Sequence, residues 1–263
     1  MRITVLASGS KGNATLIEFE DDQYLIDCGL TYRQLKLRLE KQKKALTNLK
    51  GIFLTHEHRD HVSGLRVLLN KHQVPIYLSE GTHKGLDKRF TGFIDEKLIY
   101  YLTEEKLLDF GHFSVFPFYT YHDAIEPLGF KFIEGEHSFV YMTDTGYFPL
   151  RKYDLLKNAS AYMIESNYES EMLLESERPW MLKRRILDDQ GHLSNEDSAN
   201  LLLDLIGDRT KTIILAHLSE DCNLPSVALD TYEICFTAKK RMIKDYQLII
   251  AKQHMSIKEI TLG

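Results

Sequence analysis

The sequence has few cysteines, and their spacing shows no recognisable pairing. Only three occur in 263 residues (Cys28, Cys222 and Cys235), and none belongs to a CxxC pair. This spacing excludes a dense disulfide framework and a zinc site built from thiolates, and it predicts reduced thiols that act as packing residues. The N-terminus runs directly into a strand pattern without a signal-peptide cleavage region, so we expect a cytoplasmic protein.

Long apolar runs and an excess of basic residues are also missing. No stretch approaches the ~20 apolar residues that a membrane helix needs, so we expect no membrane partner. The formal net charge of -5 at pH 7 argues against a surface coated with basic side chains for wrapping nucleic acid, although it leaves room for a local basic groove. Linkers of low complexity are absent as well, so residues 1–263 are predicted to form a single domain.

Apolar segments of strand length alternate with amphipathic segments of helical length. Strands are predicted at 3–6, 14–19 and 23–26, and helices at 32–43 and 81–90. Similar alternation continues through the second half of the chain. The pattern predicts an α/β fold in which helices cover the outer faces of the β-sheets.

Residues that bind metals are concentrated in one loop. The segment 55–61 has the sequence THEHRDH and follows a strand-like apolar run. Imidazole nitrogen and carboxylate oxygen are ligands that divalent transition metals prefer. In an extended stretch His56 and His58 point the same way, whereas Asp60 and His61 follow the turn and would face a neighbouring point. One short loop can therefore supply ligands to two metal ions.

Elsewhere, apolar strands repeatedly end at a histidine or a carboxylate. The residues at these strand ends are Asp27, His122, Asp144, Glu165 and His217. Ligand residues grouped at one edge of a sheet are what an active-site rim requires. For Asp27 two roles stay open, because it can cap the next helix or can orient a metal-bound histidine from behind. The histidine loop nearby favours the second role.

These residues resemble the motifs of the metallo-β-lactamase superfamily. The loop 55–61 matches its HxHxDH signature, and the strand-end residues Asp27, His122, Asp144 and His217 follow in the order of its other motifs. More narrowly, three segments resemble the YycJ/WalJ family: 8–13 (SGSKGN), 165–168 (ESNY) and 191–195 (GHLSN).

The resemblance implies an αββα sandwich of two mixed β-sheets flanked by helices, with a site for two divalent metal ions. By the family pattern the ligands are His56, His58 and His122 for one ion, Asp60, His61 and His217 for the other, and Asp144 between the two. Manganese and zinc suit these ligands, and iron can also be accommodated. The implied activity is phosphodiester hydrolysis by a hydroxide shared between the ions, most specifically 5′→3′ exonuclease action on DNA.

Two other functions stay open. A thioester hydrolase of the glyoxalase-II type would keep the same ligands, and a non-catalytic regulatory protein could hold the metals for stability alone. Two divalent cations bring four positive charges, of which Asp60 and Asp144 cancel two, so we expect an electropositive site that favours an anionic substrate. Asp60 is also suited to orient the attacking water or to accept its proton. The identity of any protein partner is left open by the sequence.

Contacts to a nucleic acid substrate are predicted around residue 190. A basic run follows Trp180, and it consists of Lys183, Arg184 and Arg185. Basic side chains can contact phosphates, while Trp180 can stack on a base or pack inward. The resemblance places His192 at the pocket rim, where it would contact a phosphoryl oxygen or protonate the departing 3′-oxygen. Ser194 is predicted to begin a helix whose free N–H groups attract phosphate. The alternative for Ser194 is that it only caps the helix. The alternative for His192 is that it only supports a metal ligand.

Overall fold

The computed structural model describes residues 1–91 and 94–263, and two layers of β-sheet lie at its centre. The described strands are β1 (Arg2–Ala7), β2 (Ala14–Phe19), β3 (Asp22–Ile26), β4 (Leu49–Phe53), β5 (Ile76–Leu78), β6 (Ile99–Tyr101), β7 (Leu108–Asp109), β8 (Ser114–Tyr119), β9 (Leu128–Glu134), β10 (His137–Met142), β11 (Ala161–Glu165), β12 (Thr212–Ala216), β13 (Gln247–Ile250) and β14 (Ile260–Thr261).

Helices flank both layers. The described α-helices are α1 (Tyr32–Lys41), α2 (Arg59–Val62), α3 (Leu65–Lys71), α4 (Glu80–Gly85), α5 (Lys88–Thr91), α6 (Tyr153–Leu156), α7 (Ser170–Glu175), α8 (Trp180–Leu187), α9 (Asn195–Leu205) and α10 (Pro225–Ala238), with short 3-10 helices at Glu96–Leu98, Leu150–Lys152 and Ile243–Asp245. None of the helices in the described ranges has both the length and the apolar character needed to cross a membrane.

Both sheets are mixed and have the same plan. Within the described residues, the first sheet has the strand order β14-β1-β2-β3-β4-β5-β6 and the second has β13-β12-β11-β10-β9-β8-β7. From β1 to β3 and from β7 to β10 neighbouring strands are antiparallel, whereas from β3 to β6 and from β10 to β13 they are parallel. In each sheet the carboxyl ends of its parallel strands therefore lie along one edge.

An aromatic core joins the two sheets, and apolar helix faces cover their outer surfaces. The ring of Phe53 in the first sheet lies 5.3 Å from that of Phe132 in the second, and both side chains are fully buried. Leucines of α1 and α3 pack on the outer face of the first sheet, and apolar residues of α9 and α10 pack on that of the second. The predicted αββα sandwich with two mixed sheets is confirmed.

One predicted helix is wrong in its extent. The segment 81–90 contains the end of α4 at Gly85 and the start of α5 at Lys88 rather than a single helix. The break has a local cause, because a carboxylate oxygen of Asp87 accepts a hydrogen bond from the backbone N–H of Arg89 at 2.8 Å and so favours a new helix start. The helix predicted over 32–43 ends two residues earlier, at Lys41.

Candidate metal centre

Three strand ends present their polar residues from strained backbone. Asp27 follows β3, Asp144 follows β10 and His217 follows β12, with φ of 61°, 56° and 55°. L-residues rarely adopt this left-handed conformation, which costs of order 1–3 kcal/mol at each position. The surrounding structure must therefore hold all three residues in place, as is common at functional sites.

One group of possible metal-binding atoms is made only of histidine nitrogens. Nε2 of His122 lies 3.2 Å from Nδ1 of His58, and the rings of His56 and His122 are 5.0 Å apart. Nδ1 of His56 contacts Oγ1 of Thr55 at 3.0 Å, and Nδ1 of His122 donates to the carbonyl oxygen of Gly191 at 3.0 Å. In both rings this leaves Nε2 free to bind a metal.

A second group lies beside the first and combines histidine with carboxylate. Oδ2 of Asp60 is 3.4 Å from Nε2 of His61 and 3.7 Å from Nε2 of His217. Asp144 lies between the two groups, because its Oδ2 is 3.3 Å from Nε2 of His61 and its Oδ1 is 3.9 Å from Nε2 of His122. The structure thus brings together all seven residues that the sequence suggested as ligands.

Unpaired buried atoms show that these residues fit divalent metal ions. Among the described residues, three of the buried polar atoms without a hydrogen-bond partner belong to this site: Nε2 of His56, Oδ2 of Asp144 and Nε2 of His217. A buried polar atom left unpaired costs about 1–3 kcal/mol, and all three are atoms that bind divalent metals. The ligand atoms within each group also lie within 4.8 Å of one another.

Asp27 and Asn13 support the second group from behind. Oδ2 of Asp27 lies 2.7 Å from Nδ1 of His61, which directs Nε2 of that ring to the metal group. The backbone N–H of Thr55 donates to Oδ1 of Asp27 at 2.9 Å. The Asn13 side chain donates to Oδ2 of Asp60 at 3.2 Å, and its backbone N–H donates to the Asp60 carbonyl at 2.8 Å. Sequence reasoning gave Asn13 no role, although it ends the glycine-rich turn 8–13.

Glu165 has a larger part in the site than its sequence position indicated. This fully buried residue at the end of β11 accepts from Nδ1 of His192 at 2.7 Å and from Nδ1 of His217 at 2.9 Å, both through Oε1. Its Oε2 accepts from the backbone N–H of Thr145 at 2.9 Å. With both Nδ1 atoms occupied, Nε2 of His217 remains for a metal and Nε2 of His192 remains for the pocket. Asp144, Glu165, His192 and His217 also form a further group with metal-ligand spacing.

His56 and His122 of the first group favour the neutral state. Burial lowers the pKa of His56 well below its usual value, and the nearby charge of His61 lowers it further. Burial also lowers the pKa of His122. Both imidazoles are therefore already in the form that binds a metal.

The histidines of the second group favour the protonated state. Burial acts to lower the pKa of His61, but the carboxylates of Asp27, Asp60 and Asp144 outweigh it and raise the pKa well above its usual value. The same balance raises the pKa of His217, where Asp144 is the main opposing charge. A metal must therefore displace protons to bind here.

The formal charge count behind the expected electropositive site omitted two carboxylates that contact the ligands. Asp27 and Glu165 contact ligand histidines in addition to Asp60 and Asp144. Burial acts to raise the pKa of Glu165, but the neighbouring rings, above all that of His192, outweigh it and lower the pKa. Four carboxylates then balance the charge of two divalent cations, so net charge alone does not select an anionic substrate.

The metal groups open into a pocket of about 470 Å³. Arg178, Leu182, Arg185 and Ile186 line its side toward α8, and His192 also lines it. Arg185 is held at this rim by a hydrogen-bonded ion pair with Asp123.

Of the four residues predicted to bind substrate, Arg185 lines this pocket, whereas Lys183, Arg184 and Ser194 do not. Lys183 is buried, and its Nζ donates to the carbonyl oxygen of Leu174 at 2.6 Å. Oγ of Ser194 accepts the backbone N–H of Asp197 at 3.0 Å, so Ser194 caps α9. Arg184 lines an adjoining depression of about 240 Å³ instead.

Comparisons with known proteins agree with this architecture. A family model described as a β-lactamase superfamily domain matches residues 22–218. Exodeoxyribonuclease YycJ of Bacillus anthracis is 38% identical over 229 residues, which are 87% of this chain and 86% of that protein. Exodeoxyribonuclease WalJ of Streptococcus pneumoniae is 36% identical over 228 residues, 86% of this chain and 85% of that protein. The metallo-β-lactamase fold protein YhfI from Bacillus subtilis has the same fold, with a TM-score of 0.71 at 17% identity over 98% of this chain and 99% of that one.

Proposed function

We propose that this protein, which belongs to the β-lactamase superfamily and within it to the family of the WalJ and YycJ exodeoxyribonucleases, uses two divalent metal ions to hydrolyse DNA in the 5′→3′ direction. As a member of this family it is a metal-dependent hydrolase. The observation that carries the proposal is the convergence of two groups of metal-binding atoms on one open pocket, beside a histidine held by a buried carboxylate.

The two ions would share one carboxylate. His56, His58 and His122 would hold the first ion, Asp60, His61 and His217 the second, and Asp144 both. Manganese and zinc are the ions that we expect, with iron as a third candidate. Bound ions of this kind polarise a phosphoryl oxygen and lower the pKa of the attacking water.

The chain itself would supply the proton transfers and the orientation. Asp60, whose Oδ2 is fixed by Asn13, orients the attacking water and can accept its proton. His192 protonates the departing 3′-oxygen through Nε2, because its Nδ1 is occupied by Glu165. The buried carboxylate of Glu165 stabilises the ring in this orientation.

Turnover of matched substrates tests the reaction class. A glyoxalase-II-like thioester hydrolase and a non-catalytic, metal-stabilised regulatory protein are the two alternatives to be distinguished. Protein loaded with manganese or zinc should hydrolyse a chromogenic phosphodiester and DNA faster than a glutathione thioester or a β-lactam. Faster hydrolysis of the thioester would assign the protein to the thioester hydrolases, and no turnover of any substrate would favour the regulatory role.

We also propose that the reaction takes place in the cytoplasm on DNA. The three cysteines are free, and Cys28 and Cys222 are buried as packing residues. Free thiols are typical of a reducing compartment, where DNA is also present.

A further inference from the structure

An apolar surface on α8 lies beside a depression that adjoins the metal pocket. The side chains of Trp180 and Met181 are 64% and 75% exposed. Trp180 is the only tryptophan in the chain. Met181 lines a depression that adjoins the metal pocket, and Trp180 precedes it on the same exposed turn of α8, so this face needs an explanation.

The inward side of α8 is occupied by Lys183 and Ile186, which leaves Met181 and Arg184 on its exposed side. At 3.6 residues per turn, Lys183 lies away from Met181, while Trp180 and Arg184 lie one above the other. Lys183 is buried and donates to the carbonyl oxygen of Leu174 at the end of α7, which fixes the rotation of α8. The exposed face is therefore set by packing on the other side of the helix.

This face is continuous with the metal pocket. Arg185 lines the pocket and also lines the adjoining depression, together with Met181 and Arg184. The ion pair between Arg185 and Asp123 lies where the two openings meet. A chain-like ligand whose one end occupies the metal pocket can thus continue across α8.

The chemistry of the face suits a nucleic acid strand. Asp123 neutralises Arg185, and Asp188 also lines the depression, so net charge there is small. Arg184 forms no hydrogen bond or ion pair within residues 1–91 and 94–263, and it remains available for one phosphate. An indole ring accepts any base by stacking, and base stacking on aromatic side chains needs little charge.

We propose that the exposed face of α8, formed by Trp180, Met181 and Arg184, binds an unpaired stretch of the DNA strand next to the scissile phosphodiester, with a base stacked on Trp180. This inference rests on the proposed function, because it assigns the ligand of the surface that borders the same pocket. It adds that the enzyme engages its substrate strand in single-stranded form.

The lone tryptophan makes the contact directly measurable. A nuclease-resistant phosphorothioate oligothymidylate should quench the fluorescence of Trp180 in the metal-loaded protein. An abasic oligomer of equal length, which has phosphates but no bases, should leave the fluorescence almost unchanged. Equal quenching by the two oligomers would overturn the stacking proposal.

Variants measure how much the contact contributes. Trp180→Ala should weaken oligothymidylate binding roughly 5- to 100-fold, as judged by fluorescence anisotropy of a labelled oligomer, whereas Trp180→Phe should retain most of the affinity. Arg184→Ala should lower the slope of log affinity against log salt concentration by about 0.7. Ile234→Ala is the matched control, because Ile234 is 69% exposed on α10, and its affinity should equal that of the wild type. Unchanged binding by Trp180→Ala would overturn the proposal.

Two further measurements separate the outcomes. In turnover assays the loss in Trp180→Ala should appear in KM for DNA rather than in kcat. If the wild type cleaves no phosphodiester, the proposed activity fails, whereas the fluorescence titration still decides the role of α8. If sedimentation shows a dimer that Trp180→Ala dissociates, the face binds a second copy of the chain and the nucleic acid proposal is overturned.

Discussion

Nδ1 of His192 lies 2.7 Å from Oε1 of Glu165, within hydrogen-bond distance. The same oxygen accepts from Nδ1 of His217. One buried carboxylate therefore positions both a ring that faces the pocket and a ring that faces the metal groups. This arrangement separates the expected effects of substituting the two partners.

Removal of the His192 ring should affect chemistry but not metal content. In His192→Ala we expect the fold and both metals to persist while turnover of DNA falls roughly 10²–10⁴-fold, because the departing oxygen loses its proton donor. Elemental analysis and turnover measured on the same sample check this. Loss of a metal would instead make His192 a structural part of the centre, and unchanged turnover would remove it from the mechanism.

Substitution of Glu165 should lower both metal affinity and turnover. Glu165→Gln removes the negative charge that holds two Nδ1–H groups, so we expect metal affinity to fall about 10–100-fold and turnover to fall as well. Competition with a chelator measures the affinity. Glu171→Gln, on the exposed surface of α7, is the matched control. Full metal affinity in Glu165→Gln would show that the carboxylate does not support His217.

Metal uptake should release protons. The raised pKa values of His61 and His217 mean that these rings keep their protons to a higher pH than a free histidine does. The metal-binding form therefore gains population as pH rises, and metal affinity should increase from pH 6 to pH 8. Calorimetry in buffers of different ionisation enthalpy counts the protons. Affinity independent of pH, with no protons released, would contradict this account of the site.

Elemental analysis should find two metals per chain in the reconstituted protein. Asp144→Ala should weaken the binding of both ions, because the carboxylate lies 3.9 Å from Nε2 of His122 in the first group and 3.3 Å from Nε2 of His61 in the second. His58→Ala should weaken the binding of the first ion only, because the ligand nearest to His58 is His122 of the first group. Fewer than two ions in a fully loaded wild type would rule out the dinuclear arrangement.

Much of the site could be predicted because its signals are local. The loop 55–61 carries four possible ligands in one short stretch, and an apolar strand ending at Asp144 or His217 is visible without knowledge of the fold. The resemblance to a known family supplied the division into two groups. What the sequence could show was the type of each residue and its place at a strand end.

The remaining features depend on packing between distant segments. Glu165 reaches His217 because β11 pairs in parallel with β12, a neighbour relation that no local pattern encodes. Lys183 is turned away from the pocket by its contact with α7. Ser194 caps α9, because its Oγ accepts the backbone N–H of Asp197 in the first turn of that helix. The formal charge count omitted Glu165 for the same reason, because the sequence does not show that this carboxylate is a neighbour of the ligands.

The most direct test of the proposed function uses duplex and single-stranded DNA labelled at either the 5′ or the 3′ end, incubated with the metal-loaded protein. We predict that a 5′ label is released at once as a mononucleotide, whereas a 3′ label remains on progressively shorter strands. His192→Ala, measured beside the wild type, excludes a contaminating nuclease. Immediate release of the 3′ label, or cleavage at internal positions from the first time point, would contradict a 5′→3′ exonuclease.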